Sequence, residues 1–105
     1  MSDQPKISNS FLTFMKEAPQ HSKAWMDVVK GLDSASALDS KTEELAYIAV
    51  LAATRLESGL SFHVKHAKKL GATREEIISS VLIGLPAVGN IVIQALPIAL
   101  DAFDD

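Results

Sequence analysis

The chain contains no cysteine among its 105 residues. That removes a disulfide framework, a thiolate metal site and a thiol nucleophile at one stroke. Aromatic residues are few, with one Trp, one Tyr and four Phe. Cations are outnumbered, 10 Lys and Arg against 13 Asp and Glu, for a formal net charge of −3. No basic cluster interleaved with aromatics is present, so nucleic acid is not an expected partner. Lys65, Lys68 and Lys69 come nearest to a basic patch, and their spacing reads as the solvated side of a helix. Glycine-rich phosphate loops, nucleophile elbows and strand alternation are also missing.

The remaining content is apolar: 48% of residues are hydrophobic. At this length the chain fits one small domain with a high ratio of surface to volume, a size at which oligomerisation helps bury apolar area. The segment Ile77 to Leu100 has no charged residue, a length compatible with a membrane span. Gly84, Pro86, Gly89, Asn90, Gln94 and Pro97 interrupt it, and acidic residues flank it. It therefore reads as two helices joined near Gly84-Leu85-Pro86, buried in the core and in a subunit interface, with no membrane partner. The N-terminal Met-Ser-Asp-Gln-Pro-Lys lacks the apolar run of a signal peptide, which makes the cytoplasm the expected location.

Periodicity and stop signals predict an all-α chain of about five to six helices in a single domain spanning residues 1–105. Residues 1–37 supply N-terminal helices and residues 38–105 the core helices. Ser8 or Ser10 caps a short helix that Pro19 ends, and a second helix through Lys23 to Val29 stops at Gly31. Leu32 to Asp39 forms a polar connection. Ser40 opens the central helix, with Glu43 as the reciprocal acid of a capping box. Leu45 to Ala53 is apolar nearly all round, so other helices should surround it. Ser58, Gly59 and Ser61 break the pattern and start a helix that ends at Gly71, and Thr73 with Glu76 forms another capping box. Pro97 is expected to bend the last helix.

Three residues stand out for chemistry. Glu43 has a local capping role; Glu44 has none, and it lies on the face that continues through Ile48 and Leu51 to Arg55. A first-turn acid also simply complements the helix dipole. His63 falls on the stripe shared with Ala67 and Leu70, where a core histidine satisfied by one hydrogen bond is the ordinary outcome. Near a helix N-terminus, however, the dipole favours neutral imidazole, the state a proton shuttle uses near neutral pH. A carboxylate such as Glu44 can orient that ring. His66, three residues on, projects to a neighbouring side of the same groove. Two histidines at this spacing lack a third ligand, so no metal is expected. His21 sits in a connecting segment.

The order Lys-Thr-Glu-Glu-Leu, a long apolar helix, Leu-Ser-Phe-His-Val-Lys-His-Ala, then Leu-Gly-Ala-Thr-Arg-Glu-Glu-Ile resembles the carboxymuconolactone decarboxylase family. That family shares its fold with alkylhydroperoxidase D-like proteins. The resemblance covers about Leu38 to Ala87 well and the N-terminal region more loosely. In the peroxidase branch a glutamate precedes a Cys-x-x-Cys pair, and a histidine follows. Alignment on Gly71 places the glutamate at Glu44 and the histidine at His63, but puts Leu56 and Gly59 at the cysteine positions. A peroxide-reducing disulfide cycle requires both thiols. The decarboxylase branch generally lacks them, and this chain is more similar to it.

The resemblance implies a homo-oligomer, a trimer or hexamer, with active sites near subunit boundaries. It implies a cofactor-free lyase or isomerase acting on a small carboxylated or lactone-like metabolite. Glu44, His63 and His66 are the expected catalytic residues, with His63 as proton donor and Glu44 its partner. Arg55, Lys65 and Arg74 are candidate anion-binding groups. A non-catalytic binding or scaffold oligomer of the same fold is the alternative, and an alkylhydroperoxidase-type antioxidant is disfavoured by the missing cysteines.

Overall fold

A computed structural model describes residues 7–105. Six longer helices and one single-turn helix make up the described chain, with no strand among the described residues. They are α1 (Asn9–Glu17), α2 (Pro19–Ala35), α3 (Ser40–Ala53), α4 (Leu60–Lys69), α5 (Arg74–Val81), the short α6 (Leu85–Val88) and α7 (Asn90–Asp104), with 3-10 turns at Glu57–Gly59 and Leu82–Gly84. Helices α3, α4, α5 and α7 pack mutually around the core, whereas α1 and α2 pack chiefly on each other.

The core is built from a few branched side chains and many alanines. Ile48, Leu60, Val64, Ile77, Val81 and Val92 are wholly buried. Ala52, Ala67, Ala95 and Ala99 lie between them with no exposed surface, and their small side chains let the helices approach closely. Gly84 serves the same end: a Cβ there would stand 3.4 Å from the Ala53 methyl.

Some boundaries match the sequence expectation and others differ. Ser8 caps α1 by accepting from the Phe11 amide. Pro19 opens α2 at its first position, where a missing N–H costs nothing, and the helix runs through Gly31 to Ala35. Asp39, not Ser40, caps α3: its carboxylate accepts from the Thr42 amide at 2.8 Å and from the Thr42 hydroxyl at 3.1 Å. Glu43 is thereby one residue too far along to complete a capping box. Its carboxyl faces that of Asp33 instead, and the shared hydrogen bond, with desolvation and the negative charge nearby, raises its pKa. Thr73 and Glu76 do form the reciprocal capping box at the start of α5.

Helices α3 and α4 end alike. The Leu56 amide reaches back to the Leu51 carbonyl around Arg55 (φ 64°), and the Ala72 amide to the Ala67 carbonyl around Gly71 (φ 98°). Both follow the Schellman pattern. The apolar tract from Ile77 onward is divided by Gly84 and again by Gly89, whose φ is 65°. Helix α7 then continues through Pro97. No helix among the described residues is long and apolar enough to cross a membrane. Nor is α3 surrounded on all sides in the single chain, since Tyr47 and Val50 are about half exposed.

One lysine of α4 departs from the solvated-face reading, while Lys68 and Lys69 are exposed as that reading expects. Lys65 is buried and its ammonium donates to the Asp105 carboxylate at 2.7 Å. Lys68 donates to the Phe103 carbonyl at 2.6 Å and lies over the Phe103 ring. Arg74 on α5 makes a bidentate pair with Asp104, at 2.9 and 3.0 Å. Three cations thus hold the last turn of α7 against α4 and α5.

Candidate functional site

Helices α3 and α4 bring Glu44, His63 and His66 into direct contact. Glu44 lies in the second turn of α3, on the side facing α4. His63 and His66, one turn apart on α4, both turn toward it. His63 Nδ1 bonds Glu44 Oε1, and His66 Nδ1 bonds Glu44 Oε2 at 2.9 Å. One carboxylate therefore engages two imidazoles, one through each oxygen. The sequence distances are 19 and 22 residues, so only the packing of α3 on α4 assembles the trio.

The partner chemistry fixes the proton positions. Burial raises the pKa of Glu44, but hydrogen bonds from His63 and His66 and the attraction of their charges outweigh it, leaving the carboxyl below its usual range. An ionised carboxylate only accepts, so each Nδ1 is assigned the proton. No protein hydrogen bond engages either Nε2 among the described residues. In the neutral ring Nε2 presents a lone pair, and in imidazolium it presents a proton.

Burial is graded across the trio. The Glu44 side chain is 14% exposed, His63 26% and His66 46%. The Tyr47 ring lies against His63 with centroids 4.5 Å apart, and Phe62 meets His63 edge-on at 5.1 Å. Aromatic walls of this kind exclude water from one side of an imidazole and limit its rotation. Tyr47 did not stand out in the sequence, although its i, i+3 relation to Glu44 puts both on the same side of α3.

The cations proposed for anion binding are not gathered here. Lys65 and Arg74 are committed to Asp105 and Asp104, and Arg55 occupies the exposed turn after α3. No group of three or more His, Asp, Glu or Cys side chains suited to a metal is found among the described residues. One concavity is lined by Leu45, Glu75, Glu76, Ser79, Ser80 and Ile83. A larger one involves Ser58, Ser61, Lys65 and the end of α7. Neither is lined by Glu44, His63 or His66.

The lowered Glu44 pKa has a measurable consequence. A carboxyl with a folded-state pKa below its unfolded value contributes stability that is fully present above the unfolded range, about pH 4.3. That contribution disappears as pH falls through the folded value. Thermal melts between pH 6 and pH 3 should show wild type more stable than Glu44→Gln at the upper end, with the gap closing toward the lower. A gap independent of pH would refute the assignment.

Comparison with known proteins agrees with this architecture. Residues 19–101 match the carboxymuconolactone decarboxylase family. The chain is similar to the apo crystal structure of a carboxymuconolactone decarboxylase family protein from Legionella pneumophila, at 28% identity and a TM-score of 0.77. That similarity covers 90% of this chain and 85% of the other. No curated protein sequence matches significantly. With four-fifths of its length inside the family match and its helices superposing on a member, this chain belongs to the carboxymuconolactone decarboxylase family.

Proposed function

We propose that the chain is a cofactor-free acid–base enzyme, a lyase or isomerase acting on a small carboxylated or lactone-like metabolite. The observation that carries this reading is the shared carboxylate: Glu44 holds the Nδ1 atoms of His63 and His66 and leaves both Nε2 atoms available. Removal of carbon dioxide or a proton next to an unsaturated lactone leaves a carbanion equivalent that must be reprotonated. An imidazole oriented at Nδ1 and open at Nε2 is suited to that transfer. His63, the more enclosed ring, is the proposed donor to carbon, and His66 the more solvent-accessible exchanger.

The working unit is proposed to be a homo-oligomer, a trimer or hexamer. Support comes from apolar side chains left uncovered on the single chain, among them Trp25, Leu32, Tyr47, Val50 and Ile83. The second reading, a non-catalytic binding or scaffold oligomer, is favoured by one observation: neither concavity noted above is lined by the trio.

A thermal-shift screen of carboxylated butenolides and aromatic-degradation intermediates, followed by turnover assays on hits, separates the readings. The enzyme reading expects a ligand whose turnover falls by about 10²-fold or more in His63→Ala, the usual range for loss of a general acid. Turnover that survives His63→Ala would sink it. Ligands that bind without being transformed would favour the scaffold.

A further inference from the structure

The proposed chemistry, on which this inference rests, requires a group that the trio does not supply. When the bond from carbon to the departing carboxylate breaks, its electron pair passes through the conjugated system onto the lactone carbonyl oxygen. The pair returns to carbon when carbon takes a proton from imidazolium Nε2, and the ring recovers its proton from water. Between those events a full negative charge develops on an oxygen. Glu44 repels that charge, the His63 imidazolium proton is needed at carbon, and His66 is assigned to proton exchange with solvent. A separate hydrogen-bond donor is required, positioned where the oxyanion forms.

We propose that the Tyr47 hydroxyl is that donor and that the site binds enolate-type oxyanions. Tyr47 lies one turn beyond Glu44 on α3, and its ring packs at 4.5 Å on the ring of His63. Its hydroxyl makes no hydrogen bond with the described residues, and 47% of the residue's surface is exposed. A tyrosine anchored by its ring and unengaged at its tip has an apolar body and a free donor in one rigid unit. The other aromatic neighbour, Phe62, has no donor. Lys41, Lys65, Lys68 and Arg74 are each engaged with a carboxylate or carbonyl, so they do not offer an uncommitted donor. The donor is also neutral, which suits a transient oxyanion: it stabilises the charge in the transition state without capturing carboxylates indiscriminately in the ground state.

Binding of 4-nitrophenolate, an enolate mimic whose visible absorption reports its ionisation, tests this without any turnover. Wild type should bind the anion, and Tyr47→Phe should bind it about tenfold or more weakly, the effect of losing one hydrogen bond to a charged oxygen. The His63 and His66 ring signals, followed by NMR as pH is varied, should be the same in both proteins. Equal affinity in Tyr47→Phe, or no phenolate binding by wild type, would overturn the proposal. Weaker binding accompanied by an altered His63 titration would also overturn it, because Tyr47 would then act only by positioning the ring. The outcome is separable from the acid–base reading, which stands or falls on turnover in His63→Ala.

Discussion

Glu44→Gln is expected to reduce turnover of an identified substrate by about 10³-fold, within the range for losing an oriented acid–base group. The amide is nearly isosteric with the carboxylate, so packing between α3 and α4 should persist. What changes is the pattern of donors and acceptors. Glutamine offers one acceptor oxygen and a donor NH₂, whereas Glu44 accepts from His63 and His66 through separate oxygens. One ring must therefore rotate away or adopt the tautomer with Nδ1 unprotonated, which places a proton on its Nε2. The negative charge that stabilises an imidazolium is lost as well. Because both imidazoles depend on this side chain, the loss should exceed that of His66→Ala. Circular dichroism and an unchanged mass in solution check that the fold survives. Turnover within tenfold of wild type would show that the carboxylate has no role in the chemistry.

Leu60→Ala should cost about 2–5 kcal/mol of stability, the usual range for emptying a fully buried leucine site. Leu60 is the first residue of α4 and has no exposed surface. Its replacement removes apolar contacts and leaves a cavity beneath the turn that carries His63. Single domains have about 5–15 kcal/mol in total, so the variant should unfold at markedly lower urea concentration with a similar slope. A shift equivalent to less than about 1 kcal/mol would mean that α4 is held mainly by other contacts. The three cations that grip the end of α7 would then be the first place to look.

Local signals in the sequence predicted local structure well. Thr73 and Glu76 could be paired from spacing alone because both partners lie within one turn. The approach of Glu44 to His63 followed from helix order together with the family pattern. The sequence leaves the cap of α3 ambiguous by one residue because Asp39 and Ser40 are both good caps, and the structure gives the role to Asp39, which also accepts from the Thr42 hydroxyl. That single step also changed the role of Glu43. The burial of Lys65 could not be inferred locally, since Asp105 is 40 residues away and only the packing of α7 brings it near. Gly31 has the character of a helix stop, yet α2 passes through it, which costs only about 1 kcal/mol relative to alanine. Nothing in its immediate sequence marks Tyr47; only the His63 ring across the helix interface does.

The sharing of one carboxylate by two imidazoles also sets the charge the site can carry. With both rings neutral the trio holds −1, with one protonated it is neutral, and with both protonated it holds +1. A carboxylated ligand approaching Glu44 meets repulsion in the first state and attraction in the last. Binding of such a ligand is therefore linked to proton uptake, and under the proposed acid–base reading the ligand itself would help charge the acid that protonates its carbon.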